Sequence, residues 1–246
     1  MTLYAIGDIH GHPDKLDRAL ELIEADGGAG SEVIFIGDYI DRGPDSRAVI
    51  QRLIDGLAEG QNWTCLKGNH DRMMEWFFEP EPRHDPHLLV GYHWLHECLG
   101  GIETLASYGV AVEDRVRLNE LQERASLMVP AAHLEFLRNL EIMADRGDVF
   151  FCHAGIRPGV SLAEQTEEDL VWIRQTFLNY TRPHPKLIVH GHTPVKANEH
   201  AGNHVNLDAG AAYGGDLVPV AIEGTTFFNL TPRGRKKLKP RGSLFG

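Results

Sequence analysis

The sequence is poor in cysteine and contains no long hydrophobic run. Its 246 residues include three cysteines, Cys65, Cys98 and Cys152, which are too far apart for a CxxC site and odd in number. Such a chain suits a reducing compartment, so we expect a cytoplasmic protein. No segment approaches the roughly 18 consecutive apolar residues of a membrane span. Residues 1–8 show neither the charged start nor the apolar stretch of a signal peptide, and we expect no membrane partner.

Positive charge is scarce over most of the chain and concentrated near its C-terminal end. The formal net charge is -11, from 24 basic and 35 acidic residues, and this acidic balance argues against general nucleic-acid binding. Residues 233–241 hold six basic residues and no acidic one, so the other 18 basic residues leave the body at about -17. We expect residues 232–246 to form a loosely held basic tail that is solvated, docked on the body or bound to a phosphate-rich partner.

Short apolar runs and helical repeats alternate over residues 1–71. Residues 3–6, 33–36 and 63–66 have strand character, and apolar residues recur at helical spacing between these runs. This β-α-β-α-β order predicts parallel strands with right-handed crossovers. A polar cluster follows each strand. The three clusters should therefore meet at the edge where open α/β sheets place their sites.

The rest of the chain has a different order of elements. Residues 73–147 contain helical patterns and a break rich in proline and histidine, and we interpret them as a helical insertion beside the site. Strand signals return at residues 149–152 and 187–189. Three later strand signals, separated by glycine turns, lie at residues 204–207, 218–222 and 226–230. They indicate a second, more antiparallel sheet, and we expect one α/β domain over residues 1–231.

Two histidines of the insertion allow two interpretations. His93 and His96 are three residues apart and could meet on one face of a helix as a second metal site. We favour the other interpretation, in which they are exposed or merely hydrogen-bonded.

Polar side chains that can bind metals follow five of the predicted strands. They are two carboxylates, three imidazoles and one carboxamide: Asp8, His10, Asp38, Asn69, His153 and His192. One structural zinc ion needs four ligands, so six indicate two ions with a shared ligand. Asp38 follows the central strand and is the natural bridge, with the first two residues of the set on one ion and the last three on the other. Mixed oxygen and nitrogen ligands suit Mn, Fe or Zn.

A two-metal site indicates a particular chemistry. Two ions about 3.5–4 Å apart activate a water and bind the attacking and leaving oxygens of an in-line displacement, as in the hydrolysis of a phosphate ester or anhydride. His70 is placed to protonate the leaving oxygen. Asp41 is expected to orient His70 and to raise its pKa. Arg42 offers a planar fork to phosphate oxygens, with Asn69 beside the same phosphate.

Five segments, GDIHG, GDYIDRG, GNHD, HAG and GHTP, resemble the signature of the calcineurin-like metallophosphoesterases. They are most similar to the branch that includes serine/threonine protein phosphatases, bacteriophage lambda phosphatase and symmetrical diadenosine tetraphosphatases, over roughly residues 3–215. The resemblance implies a sandwich of two mixed sheets flanked by helices, with two metal ions held by the six ligands above. It also implies that His70 and Asp41 form the acid pair and that Arg42 binds phosphate.

One position departs from the wider superfamily, and others stay open. Pro194 stands where a second histidine of a GHxH motif would bind metal 1, so metal 1 would keep three protein ligands. Arg174 lies in a stretch that resembles the segment after HAG in bacterial and phage members and is our choice for a second phosphate-binding arginine. Arg72 and Arg157 compete with it, and a surface role for Arg174 is the alternative. Tyr213 either borders the pocket or packs.

The sequence thus predicts a dinuclear-metal phosphatase, with Mn favoured over Fe or Zn. Its predicted substrates are phosphoserine or phosphothreonine proteins, and small aryl phosphates in vitro. The alternative is a dinucleoside polyphosphate hydrolase, because both activities use the same metals. A non-catalytic binding protein is a remote alternative, since every expected ligand is present. The sequence carries no signal for an oligomeric state.

Overall fold

The computed structural model describes residues 2–113 and 115–241. The strands in these ranges, in chain order, are β1 (Leu3–Ile6), β2 (Val33–Phe35), β3 (Trp63–Cys65), β4 (Met143–Arg146), β5 (Val149–Cys152), β6 (Leu187–His190), β7 (Glu199–His200), β8 (His204–Asn206), β9 (Val220–Glu223), β10 (Thr226–Thr231) and β11 (Gly234–Leu238). The α-helices are α1 (Pro13–Ile23), α2 (Ser46–Ala58), α3 (Asn69–Phe77), α4 (Gly101–Ser107), α5 (Leu118–Met128), α6 (Ala131–Arg138), α7 (Glu167–Trp172) and α8 (Gln175–Leu178).

The strands form two mixed sheets. The first has the order β11-β10-β9-β1-β2-β3, and the second has the order β4-β5-β6-β8-β7. The parallel pairing of β1 with β2 and of β2 with β3 is confirmed, with Ala5 opposite Ile34 and Ile34 opposite Thr64. The carboxyl ends of these strands therefore lie at one edge, which positions the loops that carry the polar clusters.

Alternating burial explains the layers. In β1 and β2, Ala5 and Ile34 point into a core shared with the second sheet, whereas Tyr4 and Phe35 point into a core shared with α1, α2 and the later helices. A third core packs Phe150 of β5 against α7 and α8. Because both faces of each central strand are buried, the strands are apolar throughout rather than alternating with polar residues. The predicted α/β sandwich of two mixed sheets flanked by helices is confirmed.

Two helix starts follow local rules. Pro13 is at the first position of α1, where its missing N–H costs nothing. Asp45 caps α2, and its Oδ1 accepts a hydrogen bond of 2.9 Å from Ala48 N. Among the described helices, none combines the length and apolar character needed to cross a bilayer.

The late strands correct two expectations. The strands after residue 217 do not extend the second sheet, because β9 pairs antiparallel with β1 and carries β10 into the first sheet. The segment after residue 231 is not a loose tail over its described part. Its residues 234–238 are strand β11, paired with β10 from Leu238 opposite Phe227 to Gly234 opposite Thr231. Backbone pairing holds this strand although its lysine side chains face solvent. Residues 242–246 of the predicted tail lie outside the described residues.

The helical insertion corresponds to residues 78–142, between α3 and β4. It contains α4, α5 and α6, which pack into the core around α2 and α3. The predicted range of 73–147 was too wide, because β4 is the edge strand of the second sheet and pairs antiparallel with β5. Strand β4 includes the charged residues Asp145 and Arg146, so a search for apolar runs did not predict it.

Candidate metal centre

The loops that follow β1, β2, β3, β5 and β6 form one polar edge, which we call the strand-end edge (residues 7–11, 37–43, 68–71, 153–155 and 191–194). Non-glycine residues with positive φ are concentrated there. In the described parts of the chain, φ values of 48° to 73° occur at His10, Asp38, Asp41, Arg42 and His192. Such conformations are costly outside glycine and cluster at functional sites. The backbone here is held in shape to direct polar side chains.

Close backbone approach between two loops requires glycine. A Cβ on Gly68 would lie 2.1 Å from Asp38 Oδ1, and a Cβ on Gly37, whose φ is 103°, would lie 2.6 Å from Gly68 N. Asp71 connects the same two loops. Its carboxylate accepts hydrogen bonds of 2.8, 3.1 and 2.9 Å from the N–H groups of Asp38, Tyr39 and Gly68. This packing brings Asp38 between the other predicted ligands.

One group of candidate ligands comprises His10, Asp38 and His70, and all three are buried. His10 Nδ1 donates to Ile40 O at 2.8 Å, which leaves Nε2 facing Asp38 Oδ2 at 3.5 Å. A backbone carbonyl that fixes one ring nitrogen and frees the other is the usual support of a metal-binding histidine. His10 and Asp38 were predicted as ligands of one ion, whereas His70 was predicted as the acid.

A second group comprises Asp38, His153 and His192. His153 Nδ1 donates to Ile36 O at 2.9 Å, and its Nε2 lies 3.4 Å from Asp38 Oδ2. Asn69 Oδ1 lies 3.0 Å from His153 Nε2 and 2.8 Å from His192 Nδ1. The structure thus brings together the four residues predicted for the second ion, and Asp38 is a member of both groups.

Asp8 lies between the two sheets at the same edge. Its Oδ2 accepts a hydrogen bond of 3.0 Å from His192 N. Its Oδ1 is buried without a hydrogen-bond partner among the described residues, and a Cβ at Gly191 would lie 2.0 Å from it. A buried carboxylate oxygen without a partner is costly unless a cation binds it.

The electrostatics of the edge show crowded negative charge. Burial raises the pKa of Asp8 well above its ordinary value, and the nearby carboxylates of Asp208 and Asp38 add to this. Burial acts in the same direction on Asp38, but the charges of His153, His70 and His10 outweigh it and lower the Asp38 pKa well below its ordinary value. Burial opposes protonation of His153, yet Asp38 raises the His153 pKa to about 9.

These residues fit divalent metal ions. Carboxylate, amide and imidazole donors make a mixed oxygen and nitrogen set, which suits Mn, Fe or Zn. Two imidazoles are already oriented by backbone carbonyls, and a metal ion would replace the proton that His153 otherwise holds beside Asp38. His10 and Asp38 would hold one ion, and Asp8, the third ligand predicted for it, belongs to neither candidate group among the described residues. Asp38, Asn69, His153 and His192 would hold the other.

The predicted acid pair is formed, with one correction. His70 Nδ1 and Asp41 Oδ2 are 2.6 Å apart, so Asp41 orients His70 as expected. The expected rise in the His70 pKa is wrong, because burial lowers it to about 3. Burial also raises the pKa of Asp41 well above its ordinary value, against hydrogen bonds from Thr104 and Trp94 that lower it. Burial thus disfavours a charge on either group, and the contact of 2.6 Å is a hydrogen bond between Oδ2 and Nδ1.

Arg42 and Arg174 contact histidines of different ligand groups. Arg42 Nη1 lies 3.1 Å from His10 Nε2, and Arg174 Nε donates to His192 Nε2 at 2.8 Å. The two competitors are engaged elsewhere. Arg72 is buried and paired with Asp85 at 2.7 Å, and Arg157 forms a two-pronged pair with Asp169. Of the three arginines considered for the second phosphate role, Arg174 alone contacts a candidate ligand in the described structure.

Other histidines and aromatics take the following places. His93 is exposed and His96 is half-buried, with its Nδ1 3.1 Å from Cys98 Sγ. Neither belongs to a metal-binding group among the described residues. Tyr213 is 64% exposed, and the Arg42 guanidinium lies 5.2 Å from its ring centroid. Tyr213 therefore borders the edge rather than packing in the core.

Sequence reasoning missed four side chains that support the site. Asp71 lies inside the GNHD segment, and Asp208 directly follows the strand signal at residues 204–207, so a signal for both existed. Trp94 and Thr104 come from the insertion, and no local pattern distinguishes them from other residues of a helical segment.

Comparison with known proteins gives one family and several relatives. The sequence model of the calcineurin-like phosphoesterase family matches residues 1–220. A curated relative, the bis(5′-nucleosyl)-tetraphosphatase PrpE (asymmetrical) of Anoxybacillus flavithermus, is 27% identical over 206 residues, which cover 76% of this chain and 74% of the relative.

Two solved structures have a similar fold. One is described as a candidate diadenosine tetraphosphatase, with a TM-score of 0.62, 18% identity and coverage of 93% of this chain and 92% of that chain. The other is a protein serine/threonine phosphatase from Saccharomyces cerevisiae, with a TM-score of 0.54, 14% identity and coverage of 96% and 76%. At these identities the likeness establishes the fold alone.

Proposed function

The chain belongs to the calcineurin-like phosphoesterase family of metal-dependent hydrolases, and on that premise we propose that it hydrolyses dinucleoside polyphosphates such as diadenosine tetraphosphate. The observation that carries this choice is the aligned relative, a bis(5′-nucleosyl)-tetraphosphatase matched over three quarters of both chains. The sequence alone favoured phosphoproteins as substrates. The protein phosphatase of similar fold, at 14% identity, gives that choice no comparable support.

The arrangement of positive charge suits a chain of phosphates. Arg42 lies beside His10 at one ligand group, and Arg174 lies beside His192 at the other. A polyphosphate could therefore place successive phosphates against both guanidinium groups, each of which offers a planar fork to phosphate oxygens. The exposed ring of Tyr213, next to Arg42, offers a face for stacking a nucleobase.

The chain's own residues would share the work as follows. When bound, two divalent ions would supply an activated water and charge neutralisation on the phosphoryl oxygens. Arg42 and Arg174 would orient the phosphate for in-line attack. His70 would donate a proton to the leaving oxygen as the bond from phosphorus to that oxygen breaks, and Asp41 would hold His70 through Nδ1.

A direct comparison of substrates tests the proposal. With Mn-loaded protein, kcat/KM is measured on diadenosine tetraphosphate and on a phosphothreonine peptide, and chromatography of the products shows whether cleavage gives ADP alone or ATP with AMP. We expect at least a tenfold preference for the dinucleotide. A preference for the peptide would overturn the proposal and restore the protein phosphatase interpretation. The Asp38→Asn variant should lose both activities, which excludes a contaminating phosphatase.

A further inference from the structure

The carboxylate of Asp41 is fully buried, and the helical insertion donates hydrogen bonds to it in addition to its contact with His70. Trp94 Nε1 donates to both of its oxygens, at 3.1 Å to Oδ1 and 2.9 Å to Oδ2. Thr104 Oγ1 donates to Oδ1 at 2.6 Å. His70 Nδ1 lies 2.6 Å from Oδ2. Hydrogen bonds are directional, so these contacts together fix the orientation of the carboxylate.

The Thr104 hydroxyl has one proton, so it can donate only one of its hydrogen bonds and must accept the others. A carboxylate can only accept, so the Thr104 hydroxyl must donate to Asp41 Oδ1. It then accepts from Asp41 N at 2.9 Å and from Ser46 Oγ, also at 2.9 Å. Thr104 therefore binds both the backbone and the side chain of Asp41, a residue with φ of 73°. The insertion helps to hold Asp41 in this strained conformation.

The N-terminal end of α4 has no space for larger residues at its first position or just before it. A Cβ on Gly100, whose φ is 94°, would lie 2.2 Å from Arg42 N, and a Cβ on Gly101 would lie 2.6 Å from Trp94 O. The Trp94 ring packs against Phe77 of α3, with centroids 5.1 Å apart. The two glycines thus let the start of α4 reach the strand-end edge, and this contact sets Trp94 and Thr104 against Asp41.

We propose that Trp94 and Thr104 are positioning residues for proton transfer, which orient the Asp41 carboxylate so that it holds His70 with Nε2 directed to the leaving oxygen. The inference rests on the proposed role of His70 as the acid. As the bond from phosphorus to the leaving oxygen breaks, that oxygen takes the proton from Nε2. His70 keeps a proton on Nδ1, and the negative charge that develops on the pair lies on Asp41, where Trp94 and Thr104 donate. The insertion therefore has a part in the chemistry.

This role predicts a dependence on the leaving group that a merely structural role would not produce. p-Nitrophenyl phosphate releases an acidic phenol that needs little protonation, whereas phenyl phosphate releases a phenol with a pKa near 10, like that of tyrosine. Loss of acid positioning should therefore slow phenyl phosphate hydrolysis much more than p-nitrophenyl phosphate hydrolysis.

The test compares kcat for both substrates in four variants of the Mn-loaded protein. Trp94→Phe removes the N–H and keeps the ring, and Thr104→Val removes the hydroxyl and keeps the volume. We expect each to lower kcat on phenyl phosphate roughly tenfold, a part of the range of general acid catalysis, and to change kcat on p-nitrophenyl phosphate less than threefold. Thr104→Ser restores the hydroxyl and should stay close to wild type.

Tyr108→Phe is the matched control. It removes a buried hydroxyl of the same insertion, whose partner is His133 Nδ1 at 2.8 Å, and it should leave the ratio of the two kcat values unchanged. Equal losses on both substrates, or no loss in Trp94→Phe and Thr104→Val, would overturn the positioning role. Failure of the wild-type protein on diadenosine tetraphosphate, with aryl phosphates still hydrolysed, would instead overturn the proposed substrate and leave this comparison intact.

Discussion

The strand-end edge and the helical insertion contribute to the site in different ways. The edge presents side chains on short loops at the ends of parallel strands, with five non-glycine residues at positive φ within the described chain. The insertion contributes through long-range hydrogen bonds from Trp94 and Thr104 to Asp41. It is itself held by a hydrogen bond from Trp172 of α7 to Asp85. The candidate metal ligands thus lie in short local motifs, whereas the supporting residues Trp94 and Thr104 depend on tertiary packing.

The largest effect should come from the residue that both ligand groups share. Asp38→Asn weakens both groups at once. Since loss of even an outer-shell partner lowers metal affinity or activity about 10–100-fold, we expect turnover to fall at least about 1000-fold. Steady-state kinetics on diadenosine tetraphosphate measures this. Asp145→Asn removes the partner of Lys186 on the edge strand β4, away from the strand-end edge, and should keep full turnover. Full turnover in the Asp38→Asn variant would contradict the role of Asp38 as a ligand shared by both groups.

The next effect concerns how the insertion is attached. Asp85 is buried, and its Oδ2 accepts from Arg72 Nη2 at 2.7 Å and from Trp172 Nε1 at 2.8 Å. Asp85→Asn leaves the buried Arg72 charge without its main partner, so the free energy of unfolding should fall by roughly 3 kcal/mol. Urea denaturation measures it.

An exposed pair in the same loop sharpens that test. Glu79→Gln removes the partner of Arg83, whose side chain is 54% exposed, and should cost no more than about 0.5 kcal/mol. If Asp85→Asn and Glu79→Gln lowered the free energy of unfolding equally, the buried Asp85 pair would not stabilise the attachment of the insertion.

The third prediction distinguishes the arginines of the edge from one outside it. A hydrogen bond to a charged group contributes about 1.5–3 kcal/mol, so Arg42→Ala and Arg174→Ala should each raise KM roughly 10–100-fold. Arg157→Ala removes a surface pair with Asp169 and should leave KM unchanged. Initial rates against substrate concentration give these values. If the Arg174 and Arg157 variants behaved alike, Arg174 would have no phosphate role.

The smallest expected effect is a pH response confined to the insertion. His133 of α6 is buried, its Nδ1 accepts from Tyr108 OH at 2.8 Å, and its Nε2 lies 2.9 Å from Gln51 Oε1 of α2. Burial, with Arg47 adding and Asp55 opposing, lowers its pKa below the ordinary value. The folded chain thus binds this proton more weakly than the unfolded chain, and stability is lost as pH falls below about 6.5.

Hydrogen exchange at pH 7.5 and pH 5.5 checks this response. Exchange in α4 and α6 should rise at the lower pH more than exchange in β1 and β2. His133→Gln, which stays neutral, should reduce the difference. A uniform rise across the sheets and the insertion would contradict a local response.

The same contrast explains which features the sequence could predict. The ligands lie directly after apolar runs such as residues 33–36, so a strand pattern and a motif marked them together. Trp94 and Thr104 reach Asp41 across 53 and 63 residues of chain, and no local pattern encodes such a contact. Strand β11 was missed for another reason, because its backbone pairs while its side chains read as a solvated basic run.

Counting the metal ions tests the central claim that Asp38 joins two ligand groups at the strand-end edge. Metal-free wild-type protein and Asp38→Asn are loaded with Mn²⁺, dialysed, and analysed for bound manganese and for spin coupling by electron paramagnetic resonance. The account predicts two ions per wild-type chain with a coupled spectrum, and loss of the coupling with one ion or none in the variant. One isolated ion in the wild type, or a coupled pair in Asp38→Asn, would contradict it.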